Sequence, residues 1–137
     1  MSTEHENCPK TGEFSWNELI STDVAASKKF YSSLFGWRAE AFPAGGDYTL
    51  FKQGETMVGG LMACPKPGMP SHWLPYVTVE NVDASAAKAK SLGAQVVMEP
   101  FEVPTVGRIA VLLDPHGAAI GLFKPKMENA PAPRKGT

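Results

Sequence analysis

Residues 16–37, WNELISTDVAASKKFYSSLFGW, decide the fold of this chain. Around their start, Phe14, Trp16, Glu18 and Ile20 alternate with Ser15, Asn17 and Leu19, the period-two pattern of a strand with two unlike faces. Thr22 and Asp23 then offer N-cap oxygens. Val24, Ser27, Phe30, Tyr31 and Leu34 fall at helical spacing and read as a packing face, and Gly36 supplies the residue that stops the helix. A second version stands at residues 74–94, LPYVTVENVDASAAKAKSLGA. It aligns with the first without a gap at a constant offset of 58, pairing Asp23 with Asn81, Val24 with Val82, Ala26 with Ala84, Ser27 with Ser85, Ser33 with Ser91 and Leu34 with Leu92. A strand–helix unit used twice predicts an internally duplicated domain.

The chain around each copy completes the same order. After Gly36, residues 37–42 read as a short strand, 43–47 as a turn, 48–52 and 57–63 as strands. After the second helix, predicted from about Val82 to Leu92 with Gly93 behind it, residues 95–98 form a strand interrupted by Pro100. Residues 108–113 and 118–123 make two more strands around the turn Asp114-Pro115-His116-Gly117. The expected fold is therefore α+β, two βαβββ units of about residues 13–64 and 73–125 in one domain, separated by a Pro-rich connector at 65–72. A small sheet with a helix on one face leaves its other face bare, so the units are expected to share a central cleft, the default place for a ligand. Residues 1–12 and 126–137 are polar or Pro/Ala-rich and read as disordered tails.

At 137 residues the chain can bury a core without metal or disulfide staples. A net charge of -1 with no basic run gives no electrostatic reason to expect nucleic acid. Cys8 and Cys64 lack metal-ligand spacing and read as reduced thiols. With no signal-peptide pattern and no apolar run of membrane length, a cytoplasmic protein without a membrane partner is expected.

Asp23-Val24 before a helix carrying Phe30-Tyr31 and Leu34-Phe35-Gly36-Trp37, with the closing Asp114-Pro115-His116-Gly117 and Ile120-Gly121-Leu122-Phe123, resembles the vicinal oxygen chelate superfamily of glyoxalases, bleomycin-resistance proteins and extradiol dioxygenases. The resemblance covers residues 14–124. Trp16-Asn-Glu-Leu, Ser71-His-Trp-Leu-Pro-Tyr76, Val106-Gly-Arg-Ile109 and Gly121-Leu-Phe-Lys-Pro125 are similar to a bacterial glyoxalase-like branch in which tandem copies are frequent. Enzymes of the superfamily hold a divalent metal through the first and last strand of each unit, and the resemblance puts those positions at Trp16, about Gly60, Leu74 and Gly121. An indole, two glycines and a leucine offer neither imidazole nor carboxylate, so no metal and no other cofactor are expected. Because related proteins are commonly dimers, the resemblance also implies a homodimer.

Glu18 shares a strand face with Trp16 and could serve as a general base in an apolar cleft; alternatively it pairs with Arg108 or sits at the rim. Trp16 could stack on a flat ligand or fill volume that a metal site would take. His72 could line the cleft mouth or bond to the connector, and His116 faces solvent. Arg108 could reach an anionic substrate or make a structural ion pair. Tyr48, Phe51, Met62, Tyr76 and Phe123 are candidate cleft walls, with core packing as the alternative. The expected function is metal-free binding of a small organic molecule. The alternatives are a lyase or isomerase with Glu18 as acid or base, and a metal-dependent glyoxalase or dioxygenase with unrecognised ligands.

Overall fold

A computed structural model describes residues 9–42, 47–104 and 106–126. The predicted turn at 43–47, the tails and Cys8 therefore fall wholly or mostly outside the described residues. The elements run β1 (Phe14–Ser21), α1 (Val24–Phe35), β2 (Arg38–Ala41), β3 (Thr49–Gln53), β4 (Thr56–Ala63), β5 (His72–Thr78), α2 (Val82–Ser91), β6 (Gln95–Val103), β7 (Gly107–Leu113) and β8 (Ala119–Pro125). This is the duplicated βαβββ order. Two compact units emerge, Trp16–Leu74 and, from Pro75 onward, a second that also takes the residues up to Ser15.

In the N-terminal unit the strand order is β2-β3-β4-β1, with β1 parallel to β4 and the other pairs antiparallel. Asp23 caps α1 by accepting from the Ala26 amide at 3.0 Å, and Gly36, at φ 77°, closes it by donating to the Ser32 carbonyl. Leu19, Phe51 and Leu61 form the buried layer beneath α1, with Val24, Tyr31, Trp37, Ala39 and Val58 against them. Of its predicted face the helix packs through Val24, Tyr31 and Ser27, whose hydroxyl bonds the Ser21 hydroxyl of β1 at 2.7 Å. Phe30 and Leu34 are each 56% exposed, because the face that meets the sheet is rotated toward Tyr31, whose ring contacts Phe51 and Trp37.

In the C-terminal unit the order is β5-β8-β7-β6. Asn81 caps α2 through the Ala84 amide at 2.9 Å, as its repeat partner Asp23 does in α1. Val82 and Ala86 of α2 pack on Ala110, Leu112 and Leu122. β6 continues through Pro100 instead of stopping before it. It is an edge strand in this unit, and its pairing with β7 shifts register between Val96 and Met98 and again between Met98 and Phe101, where a missing amide donor is tolerated. The Gly12 amide donates to the Thr78 carbonyl and the Thr78 amide to the Glu13 carbonyl, so the segment before β1 pairs with β5. No helix among the described residues is long and apolar enough to cross a membrane.

Candidate functional site

Register fixes which side chains share a face. In the N-terminal unit Leu19 points to α1, so Trp16, Glu18 and Ile20 point away from it, and Asn17 does not join them. β4 places Gly60 beside Glu18 and Met62 beside Ile20, and β3 places Leu50 beside Gly60. Tyr48, two residues before Leu50, reaches the same face. The sheet side opposite α1 is thus Trp16, Glu18, Ile20, Tyr48, Leu50 and Met62 around a glycine.

A hydrogen-bonded chain crosses this face. The Trp16 indole N–H donates to the Tyr48 hydroxyl oxygen at 2.9 Å, and the Tyr48 hydroxyl donates to Glu18 Oε1 at 2.8 Å. Glu18 is only 7% exposed, while Trp16 and Tyr48 are half-buried. Tyr48 fits because position 60 has no side chain: a Cβ on Gly60 would overlap the tyrosine hydroxyl and ring carbons. Phe42 meets the Tyr48 ring edge-on at a centroid distance of 5.8 Å.

The C-terminal unit repeats the device. Tyr76, which the 58-residue offset equates with Glu18, pairs by register with Gly121, and its ring fills the space that a Cβ on Gly121 would need. Phe123 lies on the same face as Gly121, opposite the α2 layer that holds Leu122.

Two expected wall or contact residues lie elsewhere. Phe51 is fully buried under α1, because it stands three residues from Tyr48 and so faces the other side of β3. Arg108 shares its face with Ala110 and Leu112 on the α2 side. There its Nε and one terminal nitrogen bond Asp83 at 2.9 and 3.1 Å, with Glu102 at 3.7 Å. The Asp83 hydrogen bonds, above all, hold the guanidinium above its ordinary range. His72 Nδ1 lies 2.9 Å from the Pro70 carbonyl oxygen, within the connector. His116 is exposed.

Two open grooves, of about 440 and 450 Å³, lie against α2 and β6 and around the connector from Ala63 to Met69; neither touches Glu18. Cys64, a free thiol, lines the second. Among the described residues no group of three His, Cys, Asp or Glu side chains could hold a metal ion. The volumes beside Gly60 and Gly121 are taken by Tyr48 and Tyr76.

The model of the Glyoxalase/Bleomycin resistance protein/Dioxygenase superfamily matches residues 14–122. The chain belongs to this superfamily. It is 42% identical over 118 residues to CFP32 of Mycobacterium tuberculosis, provisionally named a glyoxylase, covering 85% of this chain and 45% of that protein. It is 35% identical over 129 residues to the anthracycline biosynthesis protein DnrV of Streptomyces peucetius, covering 82% of this chain and 47% of that protein. The superfamily member described here thus spans just under half the length of these relatives. In fold it is similar to the Mn(II)-bound glyoxalase from Novosphingobium aromaticivorans, with a TM-score of 0.58 and 20% identity over 88% of this chain and 40% of that one. A variant of homoprotocatechuate 2,3-dioxygenase from Brevibacterium fuscum gives 0.61 and 20% over 87% and 34%.

Strand alternation places Trp16 and Glu18 on one face, but it does not show that Tyr48 joins them. A signal was present: a glycine within a strand marks close approach of another group, and Gly60 stands opposite Glu18.

Proposed function

We propose that this superfamily member binds a small organic molecule, without a metal ion, at the Trp16–Tyr48–Glu18 face of its N-terminal unit. The observation that carries the reading is a buried carboxylate, hydrogen-bonded by a phenol, among apolar neighbours on the sheet side opposite α1. Trp16 offers a half-exposed flat surface and an N–H donor, and Glu18 offers the acceptor that fixes a ligand's orientation. The relative named for anthracycline biosynthesis supports an organic ligand. A cytoplasmic location belongs to the same proposal and rests on a cysteine content too sparse for a disulfide framework.

A second reading is favoured by the same pair and by the relative named as a glyoxylase. A carboxylate bonded to a phenolic hydroxyl can take and return a proton, so Glu18 would act as the acid or base of a lyase or isomerase.

The test starts with metal analysis of chain purified without a tag; the expected content of nickel, zinc, manganese and iron is well below one per chain. Small aromatic and carbonyl compounds are then screened by tryptophan fluorescence. Glu18→Gln is expected to weaken binding of any hit by about 10-fold or more, since a hydrogen bond to a charged group is worth about 1.5–3 kcal/mol. Stoichiometric metal, or hits indifferent to the change, would overturn the reading. Turnover of a hit that Glu18→Gln abolishes would select the second.

A further inference from the structure

We infer that Trp16 is a positioning residue: its indole N–H turns the Tyr48 hydroxyl so that the tyrosine proton goes to Glu18. This rests on the acid–base reading of Glu18 above and deepens it, because it names the side chain that aims a donor at the carboxylate. An indole N–H donates and never accepts, whereas a phenolic hydroxyl does both and turns about its C–O bond. Trp16 Nε1 stands 2.9 Å from the Tyr48 oxygen, so the tyrosine proton finds no acceptor on that side. Glu18 Oε1, at 2.8 Å, accepts it. Glu18 and Tyr48 both take part in further interactions. The role of Trp16 does not depend on those, since it follows from a donor-only group placed on a hydroxyl that is shared with the carboxylate. A hydroxyl that accepts one hydrogen bond also donates a stronger one, so the Trp16 contact reinforces the bond to Glu18. That bond favours the ionised carboxylate, the form that takes up a proton.

The fold brings the three groups together without requiring them. Residues 16 and 18 share a face of β1 about 6.6 Å apart, near enough for both side chains to meet one oxygen. Tyr48, just before β3, brings that oxygen over Gly60, where a Cβ would overlap its ring and hydroxyl. The second unit is the internal comparison. There the offset of 58 puts Leu74 at the place of Trp16 and Tyr76 at the place of Glu18, and both are buried in β5. A strand of this kind therefore forms with neither an indole nor a carboxylate at these positions. Their presence in β1, joined through one hydroxyl, belongs to the site and not to the repeat.

The experiment reads two resonances of the unliganded, carbon-13-labelled chain at pH 7: the Glu18 carboxyl carbon and the Tyr48 ring carbon that bears the hydroxyl. Tyr48→Phe, which keeps the ring and removes the hydroxyl, is expected to move the Glu18 resonance. Trp16→Phe, which keeps an aromatic ring and removes the N–H, should move it in the same direction by a smaller amount and should move the Tyr48 resonance as well. In the double variant the Glu18 resonance should stand where Tyr48→Phe alone leaves it, because Trp16 acts on the carboxylate through the hydroxyl. Equal effects of Trp16→Phe with and without the hydroxyl overturn the proposal, since they mark a packing role. A folded Trp16→Phe chain in which neither resonance moves overturns it too. Should Trp16→Phe not fold, replacing Trp16 by 3-benzothienylalanine keeps the bicyclic shape and puts sulfur in place of the N–H, and the same resonances decide. Binding or turnover indifferent to Glu18→Gln would sink the reading on which this rests, whereas additive shifts sink only the positioning role.

Discussion

Gly60 is the residue on which the candidate site turns. It is one of two adjacent glycines in β4, and its neighbour Gly59 serves a different purpose: a Cβ there would stand 2.9 Å from the Asn17 carbonyl oxygen, against backbone that cannot yield. At Gly60 the obstruction is the Tyr48 side chain instead. Gly60→Ala must therefore push Tyr48 off Trp16 and Glu18, and is expected to cost about 2 kcal/mol, typical of overpacking a filled site. In a Tyr48→Ala background the same substitution should cost almost nothing. Urea midpoints of the four chains close the cycle, and an equal cost in both backgrounds would show that Tyr48 is not what fills the space. The sequence carried part of this. Tyr48, immediately before β3, and Phe51 within it are three apart in extended chain and so face opposite ways, which the spacing alone shows. That Phe51 is the one under α1 depends on β3–β4 register, and that register shifts at a bulge between Phe51 and Lys52. Arg108 was ambiguous for the same reason: its parity with Ala110 and Leu112 was readable, but the side on which α2 lies was not.

Elements were more legible than faces because their signals are local. The caps at Asp23 and Asn81, the helix stop at Gly36 and the turn at 114–117 each depend on a few consecutive residues, and each stands where the chemistry of those residues puts it. The β7–β8 turn shows how much one side chain can do. Asp114 Oδ1 accepts from the His116 amide at 2.8 Å and the Ala118 amide at 3.0 Å, while Gly117 takes φ 93° to let the chain return. Its carboxyl is held below the usual range, chiefly by the Ala118 amide and then by the His116 amide. A depressed folded-state pKa stabilises the fold fully above the unfolded value of about 3.9 and loses that contribution as pH falls through the folded value. Asp114→Asn keeps an oxygen for both amides but cannot titrate. Its melting temperature is expected to lie below that of the wild type near pH 7, where the ionised carboxylate contributes, and to converge with it as pH falls below about 4. Glu40, depressed by Arg38 and then Lys52, titrates in the same region and supplies part of the slope that persists. Coincident curves for the two chains from pH 7 to pH 2 would count against the Asp114 contribution.

At the scale of the whole molecule, duplication provides an internal control for surface chemistry. α1 and α2 share caps and length class but not outer faces. Where α1 presents Phe30, the offset of 58 puts Lys88 in α2. Phe30 and Leu34 are each 56% exposed, Phe35 is 51% exposed and Trp73 39%, and Tyr31 ties them together through ring contacts with Phe30, Phe35 and Trp73 at 4.9, 6.1 and 5.5 Å. No residue of α1 is fully buried, whereas α2 buries Val82 and Ala86. Contiguous apolar surface of this kind on a folded chain marks an interface more often than it marks solvent. A net charge of -1 sets no repulsion between like copies, so a second copy of the chain is the expected occupant. Light scattering is accordingly expected to give a mass near that of two chains at micromolar concentration. Phe30→Lys, which writes the α2 residue into α1, should shift the mass to that of one chain, while an exposed substitution of this type changes monomer stability by no more than about 0.5 kcal/mol. A single-chain mass for the wild type, or a two-chain mass unmoved by Phe30→Lys, would leave the α1 face without that role.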